Sequence, residues 1–168
     1  YLRVHRRGAL SFLWSRWADR RLYHHDRAGS AEALLEAAKH ARPEDTGALK
    51  KKVAELELSL PTSSALAEAA LLLSVSPLER AAAIERRLAL AVEPARRLEL
   101  SVERAKILLD LGRAREAVVA LEPVLRERPD HEDVLALVIA ALRAAGDDAR
   151  ALGILERAAE GAPLERRR

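Results

Sequence analysis

Gly112, Ala117 and Pro129 recur as Gly146, Ala151 and Pro163, each displaced by 34 residues. A fixed step of that length in an apolar, helix-forming sequence constrains the fold more tightly than any other feature of the chain. It marks stacked helix–turn–helix units, none of which can bury its apolar face alone. Arrays of this kind commonly hold other proteins, so the step points to a class of activity and leaves the partner open.

Each unit has a readable layout. In residues 98–131, helix A runs from Leu98 to Leu111 and Gly112 ends it, where glycine adopts a left-handed backbone at little cost. Helix B follows with Ala117, Leu121 and Val124 on one face, until Pro129 stops it. Residues 132–165 repeat the plan: Gly146 ends helix A, Ala151, Leu155 and Ala158 face inward from helix B, and Pro163 closes it.

Upstream the pattern decays. Ala82, Ala89 and Pro94 keep the helix-B spacing and place a degenerate unit at 63–97, with Arg86 where a large apolar residue is usual. Ser76-Pro77-Leu78-Glu79 supports the boundary, because serine caps, proline suits the first helical position and glutamate completes a capping box. Ala31, Leu35, Ala38 and Pro43 show the spacing once more within a degenerate region at 30–62, and residues 44–60 add one further helix. A second register, stepping 34 residues from Pro43 to Pro77, is the alternative.

In both C-terminal units the pattern resembles the tetratricopeptide repeat: Ala105 and Ile139 at position 8, Gly at 15, Ala at 20, a large apolar residue at 24, Val124 or Ala158 at 27 and Pro at 32. The resemblance implies an all-α, right-handed α-solenoid of stacked hairpins, and the helix-forming composition fits about nine helices. It also implies a concave groove lined by the A helices. Position by position, the groove would be Glu99, Val102, Lys106, Leu109 and Asp110 in one unit and Asp133, Ala136, Ala140, Arg143 and Ala144 in the next. The degenerate unit would add Ser64, Ala67, Leu71, Ser74 and Val75. Such a groove suits an extended peptide or an amphipathic helix. The chain lacks asparagine, and Val102 and Ala136 stand where polar groups would help, which argues against the carboxylate clamp of chaperone adaptors.

Residues 1–29 form a separate basic, aromatic helix, read as helix A of a degenerate repeat. Residues 1–27 carry seven arginines against Asp19 and Asp26, and all five aromatics fall in the first 23 residues. Leu10, Leu13, Trp14 and Trp17 recur at helical spacing and read as a core stripe packed on the next helix, which leaves the arginines in solvent. The alternative is an anion-binding surface of Arg16, Arg20 and Arg21 that engages nucleic acid or a membrane. His24-His25-Asp26 closes this helix rather than holding a metal, since adjacent helical residues diverge by about 100°. Lys50-Lys51-Lys52 reads as a solvated face.

Little else suggests chemistry. With no cysteine there is neither a thiol nucleophile nor a thiolate metal site, and the seven glycines form no phosphate-binding loop. Carboxylates lie beside arginines on helix surfaces, and Asp147-Asp148 sits at a helix start as a cap would. The reading is therefore a non-enzymatic adaptor with another protein as partner, no cofactor and no small-molecule substrate. The excess of arginine over lysine fits genomic base composition, and the absence of Met at position 1 fits a processed chain or a fragment. No stretch approaches the ~18 uninterrupted apolar residues of a membrane span, and arginines break every candidate signal-peptide core, so cytoplasm is the default location.

Overall fold

Helix-forming segments punctuated by proline and glycine fold, in a computed structural model, into nine α-helices with no strand among the described residues. The structure describes residues 2–90 and 93–161, with side chains for 8–90 and 93–157. The chain divides into two compact units, Tyr1–Ala91 and Val92–Arg168. The first holds α1 (Leu2–Tyr23), α2 (Arg27–Lys39), α3 (Pro43–Glu57), α4 (Ser64–Leu73) and α5 (Pro77–Leu88). The second holds α6 (Pro94–Asp110), α7 (Ala114–Glu127), α8 (Glu132–Ala144) and α9 (Asp148–Gly161).

In the second unit consecutive helices pack in sequence, and α6 also touches α8. Helical periodicity selects the buried stripes: Ser101, Ala105 and Leu108 in α6, then Val134, Val138, Ala141 and Leu142 in α8. The repeated alanines, Ala117 and Ala151, are fully buried where small side chains let neighbouring helices approach. Gly112 and Gly146 have φ of +72° and +77°, the left-handed conformation their spacing implies. After each glycine the chain closes the same way: Arg113 N–H donates to Leu108 O at 2.8 Å, and Asp147 N–H to Leu142 O at 2.9 Å. Asp147 then caps α9 by accepting from Arg150 N–H at 3.2 Å. Leu155 departs from the expected pattern: it is exposed, and Ile154 beside it is buried instead. Nothing described covers the Leu155 side of α9, whereas α8 covers α7. The side chain of Ala158, and all of Pro163, lie outside the described residues. Pro123 stands inside α7 on its exposed side, so the Val119 carbonyl it leaves without a helical donor can turn to water.

The first unit is held by a core from α1 to α4, with Ala33, Leu34 and Ala37 of α2 at its centre. Of the residues read as helix-B spacing, Ala31 and Ala38 are buried and Leu35 half-buried. Helix α1 packs on α2, but not through the expected stripe. Gly8, Ser11 and Ala18 form its buried face, while Leu10, Leu13 and Trp17 are exposed and Trp14 half-buried. Small residues win because they allow close approach: Ser30 Oγ of α2 donates to Ala18 O at 3.0 Å, and Gly8 leaves room for the side chain of Arg42 at the start of α3. Two residues past the end of α1, His25 has a φ of +62°, the left-handed conformation found at Gly112 and Gly146.

Helix α5 corrects the register of the degenerate unit. Ala82 and Ala89 are exposed, and Ala81, Ala83 and Ile84 are the buried residues. Arg86 reaches out to Glu57 of α3 at 3.0 Å, so the position taken for an apolar one carries an ion pair. Pro43, Pro77 and Pro94 each open a helix in the first turn. The three lysines do not act as one cluster. Lys52 joins Asp19 of α1 at 2.8 Å, Lys50 joins Glu79 of α5 at 2.6 Å, and Lys51 lies 3.9 Å from Glu55.

Glu79 completes the capping box read from the sequence, accepting from the backbone N–H groups of Val75 at 3.0 Å and Ser76 at 3.4 Å. The Lys50 ammonium, followed by those two amides, holds its carboxyl at about 2, below the ordinary 4.5. With the native pKa below the unfolded one, this contribution is full above about 4.5 and disappears as pH falls toward about 2. Glu79→Gln should therefore lower the urea midpoint at neutral pH and flatten its decline through that acid window. Parallel acid limbs in wild type and variant would refute the linkage.

Candidate functional site

Helices α6 and α8 leave an open groove of ≈ 580 Å³ between them. From α6 come Leu98, Glu99, Val102 and Lys106, and from α8 Asp133, Ala136, Leu137 and Ala140. These spacings keep each set on one side of its helix. Two chain reversals separate α6 from α8, so the helices run in the same sense and their matching ends meet.

The groove is polarised. Its floor is Val102, Ala136 and Ala140, whose short side chains leave room for a guest. Glu99 and Asp133 stand at the end where both helices begin, and Lys106 lies seven residues beyond Glu99, about 10 Å along the axis. Glu99 is paired with Arg96 at 3.0 Å, whereas Lys106 and Asp133 have no ion-pair partner among the described residues. His131, at the start of α8, adds an imidazole whose Nδ1 is shielded from solvent and has no hydrogen-bond partner among the described residues.

Six of the residues carried over from the repeat pattern therefore converge: Glu99, Val102, Lys106, Asp133, Ala136 and Ala140. The others do not join them. Leu109 is half-buried against the core, and Asp110, Arg143 and Ala144 are exposed outside the groove. In the other unit Leu71 and Ala67 are buried, so neither can line a groove, and Ser74 is only half-exposed; Ser64 and Val75 are exposed. Leu71 is lost because α4 buries residues on several sides, including Leu66, Ala69 and Leu73. Leu98, His131 and Leu137 escaped the sequence reading, though each lies next to, or two residues from, a residue it named.

A second cavity of ≈ 430 Å³ lies between α7 and α9, over Leu125, Leu135 and Ile154 and rimmed by Arg126, Arg150 and Arg157. Pro129 borders it and is exposed. Arg150 is already bound to Glu122 at 3.2 Å and faces Asp147 at 3.7 Å. No group of three or more His, Asp or Glu side chains among the described residues is arranged to hold a metal ion. Of the three arginines proposed for anion binding, Arg21 is tied to Asp26 at 2.6 Å, while Arg16 and Arg20 project from α1 into solvent. Asp26 caps α2 by accepting from Gly29 N–H at 2.8 Å; that bond, then Arg21, keeps its carboxyl below the usual range.

Comparison with protein-family models, curated proteins and solved structures finds no match to this chain.

Proposed function

We propose that residues 98–131 and 132–165 form a pair of tetratricopeptide-like repeats, stacked in the right-handed sense of such solenoids, and that the chain acts as a non-enzymatic adaptor. Its guest is an extended peptide or one face of a helix, held in the groove between α6 and α8. The observation that carries this reading is the convergence of Glu99, Val102, Lys106, Asp133, Ala136 and Ala140 on one open surface. Apolar side chains of the guest would rest on Val102, Ala136 and Ala140. A basic group belongs near Asp133 and an acidic one near Lys106.

Selection of peptides from a random library against the intact chain tests this. Selected sequences should combine apolar residues with a basic group at one end and an acidic group at the other. Ala136→Trp fills the floor from an exposed position, and Lys106→Glu inverts the charge. Each should weaken the selected peptides at least about tenfold, equivalent to about 1.4 kcal/mol. Arg143→Glu, outside the groove, should leave affinity unchanged. Peptides indifferent to the first two substitutions would rule the groove out.

A further inference from the structure

We propose that α1 is an interfacial helix whose solvent face docks on an anionic lipid surface. Because the buried face of α1 is Gly8, Ser11 and Ala18, its large apolar side chains are left outside. Leu10 is 40% exposed, Leu13 61% and Trp17 43%. At 100° per residue these three fall within about 60° of one another, roughly opposite the buried face. Arg16 and Arg20 flank the strip on one side and Arg21 on the other, with exposed Phe12 and Tyr23 beyond Arg16. An apolar strip with cationic margins is the arrangement that lets leucine and tryptophan enter the headgroup boundary while guanidinium groups meet lipid phosphates.

Charge favours an anionic occupant. Residues 1–27 carry a net +5, and neither Arg16 nor Arg20 has an ion-pair partner among the described residues. Three of the nearby carboxylates are already matched. Asp19 is bound to Lys52 at 2.8 Å, Asp26 to Arg21 at 2.6 Å, and Glu36 to Lys39 at 2.6 Å. Glu32 and Glu36 border, together with Trp14, Trp17 and Arg21, the cleft between α1 and α2 on the Arg21 margin of the strip, so the free cationic margin is that of Arg16 and Arg20.

Lipid suits the surface better than nucleic acid. Trp17 already has Arg20 and Arg21 over its ring, at 5.9 and 5.5 Å from the centroid, so the ring is poorly placed to stack on a base. Leu10 and Leu13 have nothing to offer a phosphate or a base edge, yet both are suited to acyl chains. No helix among the described residues is long and apolar enough to cross a membrane, so the contact is one of lying on the surface.

The test uses the intact chain with vesicles of phosphatidylcholine alone or with about one-third phosphatidylglycerol. The chain should partition onto the anionic vesicles at least tenfold more strongly, with a blue shift in tryptophan emission and quenching by brominated lipid. Leu13→Glu changes a mostly exposed residue, so the fold should survive, with unchanged helicity as the control; partitioning should fall at least tenfold. Arg16→Ala/Arg20→Ala should erase the preference for anionic vesicles, and Arg143→Glu, on α8 outside the groove, should leave partitioning unchanged. Equal binding by Leu13→Glu and wild type would overturn the proposal, as would no vesicle binding at all. It would also fall if sedimentation showed a dimer that Leu13→Glu dissolves, or if oligonucleotide bound more tightly than vesicles and ignored Leu13→Glu.

Discussion

Leu121→Ala should destabilise the α6–α9 unit by about 3–5 kcal/mol, while Leu155→Ala, at the same repeat position 34 residues later, should cost about 1 kcal/mol or less. The sequence treats these leucines alike, and the structure does not. Leu121 is fully buried, because α7 lies between α6 and α8; truncating it loses the transfer energy of its side chain and opens a cavity that packed neighbours fill only in part. Leu155 is 39% exposed on α9, which packs on α8, so most of what its truncation removes already faces water. In a unit of this size each kcal/mol shifts Tm by about 4–8 °C, so the two variants should separate by about 8 °C or more. Far-UV circular dichroism is the readout, because all the tryptophan lies in the other unit. Equal losses would mean that both leucines are equally covered in solution.

That contrast shows what repetition in a sequence reveals and what it leaves open. A fixed step identifies equivalent positions. It does not say whether a neighbouring helix covers them, which is why Ala117 and Ala151 were legible as crossing points while Leu155 was misread. The convergence of six residues on one cavity was legible for a related reason: Glu99 and Asp133, Val102 and Ala136, and Lys106 and Ala140 stand 34 residues apart, so a single register names all six. In α5 a shift of one residue sufficed to put Ala82 on the surface and Ala81 in the core. Helix α1 failed for another reason. A search for apolar periodicity gives most weight to large side chains and selected Leu10, Leu13, Trp14 and Trp17, whereas the face that α1 buries is Gly8, Ser11 and Ala18. Small-residue faces carry little hydropathy signal, although dispersion contacts grow as helix backbones approach.

The clearest link from sequence to backbone is the glycine pair, and it yields a prediction whose sign reverses at a third site. Gly112→Ala and Gly146→Ala should each cost about 1–2 kcal/mol, the price of a left-handed backbone for a residue with a Cβ. The loss is purely conformational, since a Cβ added at either glycine meets nothing within 4 Å. The sites lie in successive hairpins without shared partners, so the double variant should lose about 2–4 kcal/mol. His25 occupies the same motif at the end of α1: its N–H donates to Leu22 O at 3.0 Å and Asp26 N–H to Arg21 O at 3.0 Å, matching the bonds after α6 and α8. There the strained residue is already present, so His25→Gly should stabilise the first unit by about 0.5–1 kcal/mol, the relieved strain less the chain entropy that glycine loses on folding. Urea unfolding followed by tryptophan emission reads His25→Gly in the unit that carries both tryptophans, and circular dichroism reads the glycine variants in the other. Glycine variants as stable as wild type would show that these turns do not need the left-handed conformation. A destabilised His25→Gly would assign the imidazole a favourable contact that outweighs its backbone strain.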